Sequence, residues 1–212
     1  MSPEQSHCCF CQTLDTTGGS APWDTVLHDS GNFLIVPTKG ALVPGWLLVI
    51  AKRHALCAGA LSGSELDELT RCLATASSLV QENFGVPTIF EHGPSKAGTS
   101  LGCGIDHLHL HVAPLKFSLR KAVSDRFPHV KWQPLHNISA TRSLFESRTG
   151  YGLVKEPTEE TMYWCSPPVG VTQIFRRAIA AQIDIPDEFD YRTHPQVSNV
   201  TQTLALLSQT SR

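Results

Sequence analysis

The stretch that decides the fold is Asp106-His107-Leu108-His109-Leu110-His111-Val112-Ala113, where histidines and aliphatic residues alternate from residue 107 onward. Side chains of a β-strand point to opposite faces with a period of two. The three histidines are therefore predicted to share one face of a strand, with the aliphatic residues on the other. The aliphatic face belongs in a core, whereas the imidazole face is expected to line a cleft or meet solvent.

Three imidazoles in register suit two kinds of chemistry. They can converge on a metal ion, since His-x-His on a strand can bind zinc. They can also attack phosphorus, because an imidazole that titrates near neutrality is both a nucleophile and a competent leaving group. The preceding loop, Ser95–Gly104, is rich in glycine and hydroxyl groups that suit an anion, which favours phosphate chemistry. A half-buried strand whose polar face happens to be histidine is the structural alternative.

The flanking sequence predicts further strands and one long helix. Turn residues 29–32 separate residues 24–28 from 33–37, which predicts a β-hairpin, and residues 46–50 and 88–92 are predicted strands. Ser62-Gly-Ser-Glu65 is a capping box, and apolar residues at helical spacing follow it. The order β-β-β-α-β-β predicts an α+β fold, with a mostly antiparallel sheet and its main helix packed on one face.

The sequence after Pro114 predicts a mixed C-terminal extension of helices and a small hairpin. The predicted helices are residues 117–127, 140–148, 172–183 and 198–207, and the hairpin joins residues 153–155 to 161–165. We therefore predict a domain of residues 1–117, which holds the histidines and an N-terminal Cys-x-x-Cys, and an extension of residues 118–212 packed on it.

Composition limits the class of protein. Of 212 residues, 41% are hydrophobic and 17% are charged, so a sizeable core is feasible and wholesale disorder is excluded. The net charge of −2 gives no basic field for general nucleic-acid binding. The apolar stretch 41–51 is too short to span a bilayer, and residues 1–8 do not resemble a signal peptide. The seven cysteines, an odd number, indicate reduced thiols, so a cytoplasmic protein is expected.

Three of the cysteines, Cys8, Cys9 and Cys11, cluster near the N-terminus. Cys8 and Cys11 have the Cys-x-x-Cys spacing of one half of a zinc site, so two further ligands must come from elsewhere. Cys9 or His7 could substitute as a ligand. Three unrelated thiols near a terminus are the alternative.

The segment His107–Ala113 resembles the His-φ-His-φ-His-φ-φ signature of the histidine triad (HIT) superfamily of nucleotide hydrolases and transferases, where φ is apolar. Pro44–His54 and Glu91–Pro94 resemble further landmarks of that superfamily, so the resemblance covers roughly residues 8–117. It implies a HIT-like sheet of about five strands, one long helix and a homodimer. It also implies that His109 is the catalytic nucleophile, that His111 binds phosphate and assists the leaving group, and that His107 orients the cluster or holds a metal.

The resemblance further implies where the substrate binds, and this chain departs from the family at several of those positions. Trp46 replaces a usual histidine, Thr38 stands where a ribose-binding Asp or Asn is common, and Glu91 aligns with a phosphate-binding Gln. The link between the glycine-rich loop and the triad is longer than in the family. The implied substrate-binding residues are Thr38, Glu91, Thr99, Ser100, Gly102, Cys103 and Gly104.

Zinc-containing members of the superfamily, and the related galactose-1-phosphate uridylyltransferases, combine such a cysteine pair with two histidines. The resemblance therefore implies a structural zinc ion, which would pin the N-terminus to the sheet. Its implied ligands are Cys8, Cys11, His54 and His107. In the extension, Arg176 or Arg177 either belongs to a solvated basic face or reaches back to bind the β- or γ-phosphate of a nucleotide.

The residues predict phosphate chemistry, and the resemblance implies an enzyme that cleaves at the α-phosphate of a nucleotide or a nucleotidylated small molecule. The expected activity is that of a nucleotide phosphohydrolase or a nucleotidyl transferase, with a covalent nucleotidyl-histidine on His109. Two alternatives stay open. One is a zinc-dependent metallohydrolase with Glu91 as the candidate base, and the other is a non-catalytic, zinc-stabilised nucleotide-binding module.

Overall fold

The computed structural model describes residues 8–15, 19–99 and 104–210. The strands are β1 (His28–Asp29), β2 (Phe33–Pro37), β3 (Leu47–Ala51), β4 (Thr88–Gly93), β5 (His109–Ala113), β6 (Gln133–Leu135), β7 (Tyr151–Lys155) and β8 (Met162–Cys165). The α-helices are α1 (Cys9–Asp15), α2 (Gly63–Asn83), α3 (Leu119–Arg126), α4 (Thr141–Glu146), α5 (Ile174–Gln182) and α6 (Val197–Thr210). The helices and the hairpin expected after Pro114 all form, with ends that differ by a few residues.

The strands of the described residues form one eight-stranded sheet in the order β1-β2-β3-β5-β4-β7-β8-β6, and every adjacent pair is antiparallel. The predicted α+β fold with a mostly antiparallel sheet is therefore confirmed. The sheet exceeds the expected five strands because three strands of the extension continue it beyond β4. The division of the chain after residue 117 stays a prediction, and both segments share this sheet.

The strand that carries the histidines is shorter than predicted. Its ladder begins at His109, whereas Leu108 lies beside the end of β3 and the loop that follows. Ala51 N donates to Leu108 O over 3.2 Å, and Leu108 N donates to Ala55 O over 2.6 Å. The chain therefore stays extended and hydrogen-bonded ahead of β5, although it leaves the regular ladder.

Helix α2 begins where the capping box predicts. Ser62 Oγ accepts from the amide of Glu65, and Glu65 Oε2 accepts from the amide of Ser62 over 2.8 Å. The helix buries one stripe against the aliphatic face of β2, β3 and β5, which makes the main core. Its buried residues are Leu66, Leu69, Cys72, Leu73, Ala76 and Val80.

Two groups of residues pack on the opposite face of the sheet, which carries the histidines. Helices α3 and α5 of the extension pack over Trp46 and Phe90, forming a second core. Phe10 of α1 packs on a smaller cluster at the β2–β3 side, made of Leu34, Val36, Leu48 and Ile50. The triad lies where these two groups meet. Among the described residues, no helix combines the length and apolar character needed to cross a membrane.

Candidate active site

The three triad histidines are all buried, with 1% of His107, 4% of His109 and 3% of His111 exposed. In the ladder, His109 lies opposite Ile50 and His111 lies opposite Phe90, so these side chains share one face of the sheet. The rings of His109 and His111 are 5.0 Å apart between centroids. The alternation read from the sequence thus places the imidazoles together, in an enclosed rather than an open position.

A backbone carbonyl determines which nitrogen of His109 carries a proton. His109 Nδ1 lies 2.6 Å from the carbonyl oxygen of His107. A carbonyl oxygen only accepts, so Nδ1 must be the donor, and a neutral ring then keeps its lone pair on Nε2. This is the tautomer that a nucleophilic histidine requires.

His111 has the opposite tautomer because of Trp46. The indole Nε1 of Trp46 lies 3.1 Å from His111 Nδ1, and an indole N–H can only donate. Nδ1 of His111 therefore accepts, and a neutral ring carries its proton on Nε2. That Nε2 atom is buried and has no hydrogen-bond partner within the described part of the chain. It is therefore a buried donor whose acceptor is not among the described residues.

The environment keeps His111 neutral. Its ring stacks on Phe90 with centroids 4.6 Å apart and planes inclined by 12°. Burial holds the pKa of His111 well below its usual value, and the positive charges that His109, His92 and Arg176 can carry lower it further.

The four residues that the resemblance implies as metal ligands come together in the structure. Cys8 Sγ is 3.3 Å from His107 Nδ1, and Cys11 Sγ is 3.4 Å from His54 Nδ1 and 3.5 Å from His107 Nδ1. All four donor atoms lie within 4.8 Å of one another. Tetrahedral zinc with Zn–S of about 2.3 Å and Zn–N of about 2.0 Å requires donors roughly 3.5 Å apart, so the cluster fits such an ion.

Contacts around the cluster also suit metal binding. His107 Nε2 lies 2.6 Å from the carbonyl oxygen of Ala51, which fixes the ring and directs Nδ1 at the sulfur atoms. Burial lowers the pKa of His107 to about 4, so the ring is neutral, as a ligand must be. Cys9 is exposed and outside the cluster, whereas His7 lies outside the described residues. This Cys2His2 cluster could hold a metal ion such as zinc.

Glu91 lies away from the triad, contrary to its expected role in substrate binding. Neighbouring residues of β4 alternate, so Phe90 faces the triad and Glu91 faces the main core. Its Oε1 accepts from Ala58 N and its Oε2 accepts from Tyr151 Oη, both over 2.8 Å. Burial raises the pKa of this carboxyl to about 7. We therefore remove Glu91 from the candidate substrate-binding residues and as the candidate base of a metallohydrolase.

His92, next in the chain, is a site residue that the sequence analysis did not single out. It is 5% exposed, and neither ring nitrogen has a hydrogen-bond partner within the described residues. Its ring lies 6.3 Å from that of His111 and 4.6 Å from that of Phe175, measured between centroids. Burial, with the charges of His109 and Arg176, lowers the pKa of His92 to about 3. The alternation within residues 88–92 was a usable signal, but only the pairing of β4 with β5 identifies its face.

The expected phosphate-binding loop is described only at its two ends. Thr99 Oγ1 is buried without a partner among the described residues, and Gly104 has a φ of +80°, which favours glycine. A side chain at Gly104 would meet Arg192 of the extension, because a Cβ there would lie 2.2 Å from Arg192 Nη2. Ser100, Gly102 and Cys103 lie outside the described residues.

Two other expected substrate contacts are buried. Thr38 is 4% exposed, and its hydroxyl donates to the Lys39 carbonyl over 3.3 Å. Arg176 is 2% exposed, donates to the carbonyls of Gly40 and Phe189, and lies 5.1 Å from the Trp46 ring. Arg176 therefore lies on the triad side of the sheet, against the ring of Trp46, and its role in phosphate binding stays a prediction. Arg177 is half-buried and lies against the ring of Phe189.

Comparisons with known proteins give matches among solved structures alone, since no protein-family model and no curated protein matches the chain. A HIT-like protein involved in cell-cycle regulation from Bartonella henselae shares 15% identity, covering 51% of this chain and 80% of that one, with a TM-score of 0.42. A histidine triad nucleotide-binding protein from Sulfolobus tokodaii shares 20% identity, covering 52% and 71%, with a TM-score of 0.40.

An Ap4A phosphorylase from yeast, solved in complex with AMP, shares 17% identity, covering 66% of this chain and 57% of that one, with a TM-score of 0.38. All three identities are below 25% and all three TM-scores are below 0.5. Proteins of the HIT superfamily are among the solved structures to which this chain is similar.

Proposed function

We propose that this protein is a nucleotide phosphohydrolase or nucleotidyl transferase that forms a covalent nucleotidyl-histidine on His109. The observation that carries the proposal is the 2.6 Å contact between His109 Nδ1 and the His107 carbonyl oxygen. This contact keeps the lone pair on Nε2 and stabilises the positive charge that the ring acquires when Nε2 bonds to phosphorus.

The proposed reaction has two displacements at the α-phosphorus. In the first, the Nε2 lone pair of His109 forms a bond to phosphorus, and the bond to the leaving group breaks with its electron pair. In the second, water or another acceptor bonds to phosphorus, the electron pair of the N–P bond returns to His109, and the acceptor loses a proton to solvent. The His111 Nε2–H donor would stabilise charge on a phosphate oxygen in both steps.

The phosphate would be held by the loop before the triad and by residues near it. Thr99 offers a buried hydroxyl without a described partner, and Gly104 has the left-handed backbone conformation that occurs in anion-binding turns. Ser100, Gly102 and Cys103 remain proposed contacts on the strength of the resemblance. Thr38 and Arg176 are proposed to shape the wall of the site, because their described polar contacts are to backbone carbonyls.

Zinc is the proposed ion for the cluster of Cys8, Cys11, His54 and His107. Four protein donors complete a tetrahedral site, which is typical of structural rather than catalytic zinc. Bound there, the ion would supply a cross-link between the start of α1 and the β3–β5 region. A metallohydrolase needs an open coordination position and a nearby base, and Glu91 lies on the other face of the sheet. The four-donor set therefore favours the histidine nucleophile over that alternative.

Intact-protein mass spectrometry tests the proposal. The full chain is mixed briefly with adenylylated and guanylylated substrates and quenched under conditions that preserve phosphoramidate bonds. A mass gain of one nucleotide, present in the wild type and absent in His109→Ala, is expected. The matched control is His129→Ala, an exposed histidine of the extension, which should still form the adduct.

Other results would replace the proposal with one of its alternatives. Turnover without any adduct, lost on chelation, would support the metallohydrolase. Nucleotide binding with neither adduct nor turnover would support a binding module. A homodimer is a further proposal from the resemblance, and a cytoplasmic location is a further proposal from the reduced cysteines. Light scattering that gives the mass of a single chain would contradict the dimer.

A further inference from the structure

The hydrogen bond from Trp46 to His111 determines which nitrogen of His111 can carry a proton. Trp46 is fully buried, and its ring is packed between Phe90, 5.5 Å away, and the guanidinium of Arg176, 5.1 Å away. The indole is therefore fixed with its N–H directed at His111 Nδ1. Because that N–H is only a donor, the contact persists only while His111 Nδ1 is an acceptor.

A protonated His111 is incompatible with this arrangement. An imidazolium carries hydrogen on both nitrogens, so two donors would face each other in a buried site. The neighbouring groups act in the same direction, since the guanidinium of Arg176 on α5, and any proton taken up by His92 on β4 or His109 on β5, disfavour a further positive charge. His111 is thus a hydrogen-bond donor through Nε2 but a poor proton donor, because loss of its single proton would leave an imidazolate.

The leaving groups of the candidate substrates differ in their need for a proton. In a phosphoanhydride, the bridging P–O bond breaks and its electron pair stays on a phosphate oxygen, which is stable as an anion. In a phosphoramidate, the nitrogen must gain a proton as the P–N bond breaks, since an amide anion is too basic to leave. An alkyl phosphoester has the same requirement at its oxygen.

We propose that Trp46 is a specificity-determining residue, which restricts this site to nucleoside phosphoanhydrides and disfavours phosphoramidates and alkyl phosphoesters. The inference rests on the proposed nucleophilic role of His109. Cleavage of a phosphoanhydride needs no general acid. The Nε2–P bond of His109 forms, the anhydride P–O bond breaks, and the released phosphate keeps the electron pair. His111 donates a hydrogen bond to the phosphate throughout and keeps its proton.

The test compares kcat/KM for diadenosine triphosphate, a phosphoanhydride, with that for adenosine 5′-phosphoramidate. General acid catalysis typically contributes about 10²–10⁴-fold, so a wild-type preference for the anhydride of this order is expected. In Trp46→Phe the aromatic packing is kept and the N–H is removed, so a proton on His111 Nδ1 is opposed only by burial and by the neighbouring positive charges. The preference should then fall by roughly tenfold or more, with phosphoramidate cleavage increasing toward acidic pH.

Trp132→Phe is the matched control, because Trp132 also donates from its indole nitrogen, to Ser124 Oγ over 3.1 Å, in the extension. Its substrate preference should equal that of the wild type. Nitrogen-15 NMR of labelled histidine gives a readout independent of turnover. His111 should be neutral with its proton on Nε2 in the wild type, and its tautomer or protonation state should change in Trp46→Phe.

The outcomes separate this inference from the proposed function. Adduct formation with comparable kcat/KM for both substrates, or a protonated or Nδ1–H His111 in the wild type, would overturn the role of Trp46 and leave His109 as the nucleophile. If no substrate gives an adduct, both proposals fail. If Trp46→Phe does not fold, the wild-type preference and the wild-type NMR spectrum still decide the question.

Discussion

At the scale of single residues, Glu91 and His92 show how one strand places adjacent titratable side chains in different environments. Glu91 faces the main core and accepts two hydrogen bonds, whereas His92 faces the triad and has no described partner for either ring nitrogen. Burial penalises the charged form of each group, which raises the pKa of the acid to about 7 and lowers the pKa of the base to about 3. The two residues therefore change the stability in opposite directions with pH.

The free energy of unfolding of the wild type should fall as the pH rises, and Glu91→Gln should lack this decrease. Between the ordinary value of 4.5 and about 7, the folded state holds a proton at Glu91 that the unfolded state releases. The free energy of unfolding of the wild type thus falls through this window, by at most about 1.4 kcal/mol per pH unit from this group. Urea unfolding at several pH values should show that the free energy of unfolding of the variant, relative to that of the wild type, increases up to pH 7. Glu82→Gln, at an exposed position, is the control; a pH-independent difference for Glu91→Gln would contradict the assignment.

His92→Phe should reduce the loss of stability that the protein shows at acidic pH. Below the ordinary value of 6.5 and down to about 3, the unfolded state binds a proton at His92 that the folded state does not. Wild-type stability therefore falls as the pH drops through this window, and the variant should be relatively more stable there. The comparison uses thermal unfolding from pH 6.5 to 5, with His129→Phe as an exposed control. An equal acid sensitivity of His92→Phe and the wild type would argue against a buried, neutral His92.

At the scale of elements, α1 depends on contacts made by its first residues. The helix spans seven residues, too short to be stable alone. Phe10 packs edge-on against His107 and His109, with centroids 5.6 and 5.4 Å away, while Cys8 and Cys11 reach the candidate metal cluster. The same segment therefore completes the cluster and covers the proposed nucleophile.

Loss of the metal should release α1 from the sheet. Cys8→Ser is expected to lower the bound zinc from one ion per chain and to speed amide hydrogen exchange at residues 9–12 and around His109, because the cross-link is lost. Elemental analysis and hydrogen exchange measured by mass spectrometry report the two effects. Cys9→Ser changes an exposed cysteine of the same helix and should keep the wild-type metal content. Equal zinc content in both variants would exclude Cys8 as a ligand.

At the scale of the whole molecule, the extension is part of the structure that encloses the triad. Strand β7 pairs with β4 over five residues, and α5 places Phe175 against Phe90 and His92. Without the extension, β4 would become an edge strand and its aromatic face would meet water. The histidine-bearing segment therefore uses the extension as the cover of its second core.

A chain of residues 1–117 should fail to form the native fold. Exposure of Trp46 and Phe90, together with the unpaired edge of β4, is expected to give poor NMR dispersion, dye binding by exposed apolar surface and no cooperative unfolding. The full chain under the same conditions is the reference. Dispersed resonances and a cooperative transition for residues 1–117 would instead establish that segment as a separable domain.

The sequence by itself determined the features that depend on neighbours along the chain. The alternation in residues 107–113 identifies an imidazole face, the Ser62–Glu65 box predicts the start of α2, and Cys8-x-x-Cys11 gives half of a metal cluster. These patterns are visible because side-chain period, capping and ligand spacing are local consequences of backbone geometry. The order of strands and helix in the first half follows from the same signals.

Only the tertiary structure decided which distant residues meet. The face of Glu91 and His92 follows from the register of β4 with β5, and a shift of one residue would exchange them. The contact of Trp46 with His111 joins residues 65 apart, and Arg192 reaches Gly104 from the extension. Strand pairing and helix packing are settled by the burial of the whole apolar surface at once, a quantity that no local window of sequence contains.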